Sequence, residues 1–247
     1  MDRAAFTAMT GAKYAVDLLG VTSNNLANGL TAGFREQLAY FRSAPLDGEG
    51  APTRTFAVGW TPYAKLSAGV LEHTGNPYNA AIDGSGWFVA KRPNGTEAMT
   101  RDGSFKVIDG VLSFSTGLPV VGVDGPIAVP AGGALAIDGD GLVSVKFPTN
   151  PVTVQQIGRI KMVNPPTRTL LRDTDGLFTT TDMPVSALKE DPAVNVRGGV
   201  LESSNVNTAN LMIQIISQTR AFDMNMKVVQ TVSENDKAAN SLLSRAR

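Results

Sequence analysis

Apolar residues near the N-terminus recur at alternating spacings of four and three residues, as on one face of a long helix. The positions that follow this rhythm are Ala5, Met9, Ala12, Val16, Leu19, Ser23 and Leu26. This is the a/d pattern typical of a coiled coil, and we call these positions the N-terminal seam. Gly29 and Gly33 come directly after it and favour a helix stop. The pattern predicts a helix of about 26 residues, roughly 39 Å long.

A second heptad pattern, the C-terminal seam, runs toward the other end of the chain. Its positions are Met212, Ile215, Thr219, Phe222, Met226, Val229, Ser233, Asp236, Asn240 and Leu243. Residues 200–247 contain no glycine and no proline, whereas all 14 prolines lie between Pro45 and Pro192. We therefore expect a helix of about 40 residues, roughly 60 Å long. Because one small domain cannot cover such a helix, it needs a partner helix.

Several apolar residues fall outside both seams. They are Phe6, Leu18, Val21, Leu211, Ile216, Val228, Val232 and Leu242. Two helices packed only on each other would leave such residues exposed to water. A helical hairpin within the chain and a bundle between chains both fit the heptads. The additional apolar residues favour surfaces that neighbouring subunits cover.

The middle of the chain has a different pattern, that of short strands joined by tight turns. Asp-Gly steps occur at Asp83, Asp102, Asp109, Asp124, Asp138, Asp140 and Asp175, with an Asn-Gly step at Asn94. These dipeptides accept a positive φ and favour hairpin turns. Runs rich in β-forming residues lie between them, at 86–90, 104–108, 118–122, 142–147 and 157–163. Frequent turns between short strands predict an antiparallel β domain.

The chain is thus predicted to be an α+β protein in five parts. Residues 1–34 form an N-terminal core helix and residues 200–247 form a C-terminal core helix. Residues 35–68, which are rich in glycine and proline, form an extended connector. The central, mostly antiparallel β domain spans 69–182, and residues 183–199 return the chain to the helical end. We expect the two long helices to form a coiled-coil-like bundle.

Composition excludes several classes of function. The chain has 22 basic and 22 acidic side chains, so it lacks the basic surplus of a nucleic-acid-binding protein. It has no cysteine and a single histidine, which excludes disulfides, thiolate metal sites and a two-histidine metal face. No stretch approaches the roughly 20 apolar residues of a membrane span, so we expect no integral membrane insertion. The first residues do not resemble a cleavable secretory signal.

Candidate sites for chemistry are weak, and no cofactor is expected. The segment Gly84–Val89 begins like a dinucleotide-binding fingerprint, but Val89 replaces the third glycine. The segment Asp138–Gly141 resembles half of a calcium loop, yet it lacks the later glutamate and is better explained as hairpin turns. His73 has no fixed spacing to a nucleophile, which favours a structural histidine. We therefore predict no catalytic, cofactor-binding or metal-binding residue.

Segments at both ends of the chain resemble one family. Thr7–Ala12, Val21–Asn28 and Thr31–Arg35 resemble the N-terminal signature of bacterial flagellar rod, hook and hook-associated axial proteins. Gly199–Asn207 and Arg220–Val228 resemble the C-terminal signature of the same family. The two signatures stand in the same order as in the family, so the resemblance covers essentially the whole chain.

Four further segments resemble the proximal rod proteins of that family, with the distal rod proteins as the nearest alternative. These segments are Met1–Arg3, Pro52–Thr55, Thr74–Val89 and Arg172–Phe178. The resemblance implies a structural axial subunit that assembles helically through its terminal helices and transmits torque between motor and hook. A rod-associated periplasmic cell-wall hydrolase is an alternative of another class, although no catalytic constellation supports it.

The resemblance also implies partners and a location. The partners are further copies of this chain, other proximal and distal rod subunits, and the flagellar type III export apparatus. The implied location is the basal-body rod across the periplasm, reached without a cleaved signal peptide. The residues expected at the assembly interface are Met9, Val16, Leu19, Asn24, Asn25, Leu26, Asn28, Asn205, Asn207, Met212, Ile215, Phe222, Met226 and Val229.

Overall fold

A computed structural model describes residues 2–45, 55–147 and 150–245. The segment 46–54, which contains part of the predicted connector and Pro52–Arg54 of the resemblance, lies outside the described residues, as do Met1 and the side chain of Leu243. The chain divides into two compact units. The first comprises Met1–Ala27, Gln37–Tyr63 and Asn207–Arg247, and the second comprises Asn28–Glu36 and Ala64–Val206.

The first unit is built on two long helices. Helix α1 spans Asp2–Ala27 and has 26 residues, the length that the N-terminal seam predicts. Helix α2 spans Thr208–Arg245 and has 38 residues. Strands β1 (Gln37–Pro45) and β2 (Thr55–Ala64) pair as a two-stranded sheet, within the stretch predicted as an extended connector.

The helices α1 and α2 run antiparallel. The side chain of Gln218 contacts Thr22, and Asn225 lies against Gly11, so positions rise along α1 as they fall along α2. The first unit thus contains the helical hairpin, one of the two arrangements that the heptads allow.

The inward-facing positions of this hairpin differ in part from the predicted seams. On α1, Ala8, Ala12 and Ala15 are buried, whereas the seam residues Met9 and Val16 are 54% and 49% exposed. On α2, Leu211 is buried in place of Met212. Alternate seam positions are therefore shifted by one residue toward the N-terminus. The periodicity identified the larger apolar side chains, but a close antiparallel contact requires the small ones inside.

The second unit is rich in β strands, and its ranges Asn28–Glu36 and Ala64–Val206 extend beyond residues 69–182 on both sides. Its strands are β3 (Leu71–His73), β4 (Ala80–Asp83), β5 (Trp87–Lys91), β6 (Glu97–Thr100), β7 (Phe105–Ile108), β8 (Val111–Phe114), β9 (Val121–Gly122), β10 (Gly125–Pro126), β11 (Ala134–Ile137), β12 (Leu142–Phe147), β13 (Asn150–Arg159), β14 (Met162–Val163), β15 (Leu170–Arg172), β16 (Phe178–Thr180), β17 (Asn195–Gly198) and β18 (Val200–Glu202). Every strand pairing described in this unit is antiparallel. A five-stranded sheet has the order β14-β5-β6-β16-β15, and β11-β12-β13 form a second sheet.

Two apolar clusters form the core of the β domain. The larger surrounds Phe88, Phe105 and Phe114, whose rings meet at centroid distances of 5.5 and 5.4 Å. The smaller packs Trp87 against Phe178, with ring centroids 4.5 Å apart. The strands on which these residues lie are therefore buried on at least one face.

Most of the Asp-Gly and Asn-Gly steps close hairpins, as predicted. Asp109 and Gly110 have φ values of 51° and 76° between β7 and β8, as a type I′ turn requires. The hairpin prediction is wrong for Asp83 and Asp102, because the strands that flank each of them pair with other strands. Gly103 instead meets the backbone, since an added Cβ would lie 1.5 Å from the carbonyl oxygen of Ala80.

Gly103→Ala should therefore destabilise the β domain by about 3 kcal/mol or more, because the clash is with backbone that cannot move aside. Gly139→Ala is the matched control. Gly139 also follows an aspartate and has no positive φ, and its added Cβ would meet only the carbonyl oxygen of Val196 at 3.5 Å. Urea unfolding of both variants measures the difference, and equal midpoints would contradict the close approach at Gly103.

Candidate functional site

The two family-like signatures meet within the second unit. The backbone N–H of Gly33 donates to the carbonyl of Glu202 at 2.8 Å, and that of Asn205 donates to Phe34 at 3.3 Å. The backbone N–H of Glu36 donates to the side-chain oxygen of Asn205 at 2.7 Å. We call the contact between residues 33–36 and 202–205 the signature junction.

A buried carboxylate lies at the centre of the signature junction. The carboxylate of Glu202 forms ion pairs with Arg35 at 2.7 Å and with Arg101 at 3.2 Å, and all three side chains are at most 6% exposed. Glu202 also accepts the backbone N–H of Gly69 at 2.9 Å. One buried carboxylate thus pairs with two buried guanidinium groups. These ion pairs connect β18 to the loop before Gln37 and to the residue that follows β6.

Neutral groups also contact the guanidinium of Arg101. Arg101 donates to the carbonyl of Gly84 at 2.6 Å, and its guanidinium lies 5.4 Å from the centre of the Trp87 ring. Burial lowers the pKa of Arg101 to about 10, because desolvation and the nearby Arg35 outweigh the attraction of Glu202. Arg101 therefore stays charged at neutral pH.

Arg172 supports the junction from β15. It donates to the carbonyl of Arg35 at 2.7 Å and stacks over the Phe34 ring at 4.5 Å. Burial lowers the pKa of Arg172. This contact fixes the backbone of the residue that pairs with Glu202.

The side chain of Asn205, a predicted interface residue, makes several hydrogen bonds to backbone groups. Its amide nitrogen donates to the carbonyls of Lys65 at 2.7 Å and Ser67 at 2.9 Å, while its oxygen accepts from Glu36. Two segments far apart in the sequence, one at Glu36 and one at Lys65–Ser67, therefore meet at the Asn205 side chain. The structure gives this signature asparagine a role within the single chain.

Three other signature asparagines also make hydrogen bonds within the chain. Asn25 is 2% exposed, and its amide both donates to the carbonyl of Gln37 and accepts the N–H of Gln37, each at 2.8 Å. Asn207 caps α2, because its side-chain oxygen accepts the N–H of Asn210 at 3.0 Å. Asn28 accepts the Thr31 hydroxyl at 3.2 Å, and Asn24 is exposed on α1.

The apolar members of the predicted interface divide into two groups. Met9, Val16, Met212 and Met226 are exposed on the helices. Half-buried positions between the helices are Leu19, Leu26, Ile215, Phe222 and Val229.

Other exposed apolar residues lie on the same helices. Ile213 and Met224, outside both predicted seams, are 66% and 65% exposed, and Phe6, Ile216 and Val228 are exposed as well. The heptads could not identify Ile213 or Met224, because both lie off the predicted stripe. They also could not identify Arg101 or Gln218, since neither a lone charge nor a lone amide signals its partner.

The weak candidates for chemistry have structural positions. His73 is exposed on β3 and pairs with Val200, and Asp138–Gly141 form the turn between β11 and β12. Gly84 and Gly86 have positive φ values in the turn between β4 and β5, where no helix follows. Among the described residues, no group of three or more acidic or histidine side chains could hold a metal ion, and no helix is long and apolar enough to cross a membrane.

Comparison with known proteins identifies the family. Residues 81–160 match the family model described as the flagellar hook protein FlgE/F/G D1 domain, and residues 197–242 match that of the flagellar basal body rod FlgEFG protein C-terminal. The chain is 40% identical to the flagellar basal-body rod protein FlgF of Salmonella typhimurium, over 99% of both chains. It is 39% identical to that of Escherichia coli, again over 99% of both. The chain belongs to the family of flagellar basal-body rod proteins.

Within this family, the similarity is greater to FlgF than to FlgG. The flagellar basal-body rod protein FlgG of Buchnera aphidicola is 30% identical over 86% of this chain and 89% of its own length. The chain is therefore a structural rod subunit of the FlgF type and not an enzyme. The second matched segment contains Glu202, Asn205 and most of α2, so it includes one half of the signature junction.

Glu202→Gln should destabilise the second unit by about 3 to 5 kcal/mol, because two buried arginines lose the carboxylate charge that pairs with them. Asp83→Asn is the control, since it breaks the exposed pair with Arg197 and should cost less than about 1 kcal/mol. Urea unfolding at pH 7 measures both. Equal losses of stability would show that the junction is not the dry, charged site described here.

Asn25→Ala should lower the stability of the free subunit by about 2 kcal/mol or more, because the Gln37 backbone loses both partners. Ser23→Ala, an exposed position on α1, should change it by about 0.5 kcal/mol or less. Thermal unfolding of the dilute monomer distinguishes the two variants. Unchanged stability of Asn25→Ala would mean that this asparagine acts only between subunits.

Proposed function

We propose that this chain is a proximal rod subunit whose terminal helices pack against other copies and other rod proteins in a helical assembly. The observation that carries this proposal is the distribution of side chains on the hairpin. On α1 the buried residues are alanines, whereas large apolar residues of both helices, such as Met9, Ile213, Ile216 and Met224, are exposed. An isolated helical hairpin would gain nothing from this distribution.

The outward residues supply the free energy for association. Burying one leucine-sized side chain stabilises by about 1.5 to 3 kcal/mol. Several such residues on each helix are enough to offset the cost of association when every subunit has several neighbours. The proposed role of the outward helix faces therefore rests on how many apolar residues are exposed there, and not on one residue alone.

The proposed assembly is a coiled-coil-like bundle. Positions of α2 that face inward keep heptad spacing, and they are Thr208, Leu211, Ile215, Gln218, Phe222, Asn225, Val229 and Val232. Heptad spacing supports left-handed supercoiling when further helices pack alongside. The interface would then include Met9, Val16, Met212 and Met226 from the predicted set.

The remaining parts of the proposal concern place and route. The subunit lies in the rod that crosses the periplasm, transmits torque between motor and hook, and contacts both proximal and distal rod proteins. It reaches this position through the flagellar type III export apparatus. The similarity to FlgF over nearly the full chain supports the proximal position over the distal one.

The test is a pair of charges on the outward face of α2. Cells that carry Ile213→Lys with Ile216→Lys should express a folded subunit, because both residues are exposed, yet fail to incorporate it into basal bodies. Motility in soft agar should be lost. Gln230→Lys, also exposed on α2, is the matched control and should swim normally.

Two measurements make the outcome decisive. Circular dichroism of the purified double variant shows whether the hairpin is intact, and immunoblots of isolated basal bodies show whether the subunit is incorporated. Normal incorporation and swimming of the double variant would show that this face is not buried in the rod, and the proposal would fail.

A further inference from the structure

Two contacts that involve polar side chains of α2 interrupt the apolar contact between α1 and α2. The Gln218 amide donates to the Thr22 hydroxyl at 2.9 Å, and Thr22 in turn donates to the carbonyl of Leu18 at 2.8 Å. Thr22 is 4% exposed, so its hydroxyl uses both its donor and an acceptor site inside the hairpin. The second contact is steric, where the side chain of Asn225 lies against Gly11.

The apolar contact alone does not define how far α1 lies along α2. The inward positions of α1 begin with Ala5, Ala8, Ala12 and Ala15, which repeat every seven residues. A slide of one heptad, about 10 Å, places Ala8 where Ala15 was and Ala5 where Ala12 was. The same side chain then fills the same space, so this half of the helix does not resist the slide.

The hydrogen bond between Gln218 and Thr22 does resist such a slide. After a slide in either direction, Thr22 is replaced opposite Gln218 by Ala15 or by Gly29, which lies beyond the end of α1. The half-buried amide of Gln218 then loses its hydrogen bond to Thr22, which disfavours the shifted register.

Gly11 acts through its missing side chain. A Cβ at this position would lie 2.7 Å from the side-chain oxygen of Asn225. A one-heptad slide would bring Ala4 or Leu18 to this place, and the side chain of Asn225 would then have to shift from its present position. The other glycine of α1, Gly20, has no neighbour within 4 Å of an added Cβ, so it does not take part.

We propose that the pairs Thr22–Gln218 and Gly11–Asn225 set the axial register of α1 against α2. They act as a single polar residue in a coiled-coil core does, by penalising the alternative registers more than by stabilising the native one. The register is a property of the single chain and does not depend on how the subunit packs in the rod.

The absence of native cysteine allows a direct test on the full chain. Spin labels on Asp17→Cys and Glu234→Cys, both exposed, report the axial offset between the helices by electron–electron double resonance. The variant Thr22→Val/Gln218→Leu/Gly11→Ala/Asn225→Ala removes both pairs and keeps the contact apolar. We expect a second distance, about 10 Å from the first, in at least about a tenth of the molecules, at unchanged helix content.

The controls separate register from stability. Gly20→Ala with Ser23→Ala, which alters α1 away from the two pairs, should keep a single distance. Thr22→Ser, which retains the hydroxyl, should do the same. A single unshifted distance in the fourfold variant would overturn the proposal. Loss of helix content in that variant would also overturn it, since the pairs would then stabilise the hairpin without selecting its register.

Discussion

The buried carboxylate of Glu202 is the constraint on which the second unit depends. A charge inside a protein is tolerated only when partners replace the water it has lost, and Glu202 has Arg35, Arg101 and the Gly69 N–H. Those partners come from parts of the chain far apart in sequence. The carboxylate can therefore be satisfied only when the N-terminal loop, β6 and β18 have all reached their places.

This dependence has a consequence for the whole chain. The chain passes between the two units after Ala27, Glu36, Tyr63 and Val206. Three of these passages lie at or next to Glu36, Lys65 and Asn205. The Asn205 side chain accepts the backbone N–H of Glu36 and donates to the carbonyl of Lys65. The bonds of Asn205 thus hold together three places at which the second unit begins or ends.

The helical hairpin follows a different physical rule. Its contact joins small residues of α1, such as Ala8 and Ala12, to larger residues of α2, such as Leu211, and the alanines allow the two helices to approach closely. Its large apolar side chains lie on the outside. The two parts therefore differ in where their large apolar side chains lie. The β domain buries them in an aromatic core, whereas the hairpin exposes many of them on a surface that we propose neighbouring subunits cover.

The sequence by itself determined what depends on local pattern. The absence of glycine and proline after Gly199 required a long helix, and the heptads gave the 26 residues of α1. Steps such as Asp109-Gly110 located hairpins because a positive φ is a local property of those residues. Two long signatures were enough to indicate the family, which the comparisons confirm.

Only the tertiary structure decided which side chains meet. Met9 and Ala8 fit the heptad rhythm almost equally well, and only the distance between the two helices selects alanine for the inside. The Asp102-Gly103 step predicts a hairpin turn, but in the folded chain Gly103 is needed because the backbone of Ala80 packs closely against it. The partnership of Arg35 with Glu202 spans most of the chain, and no periodicity encodes it, because a pairing of charges depends on burial and distance that exist only in the folded state.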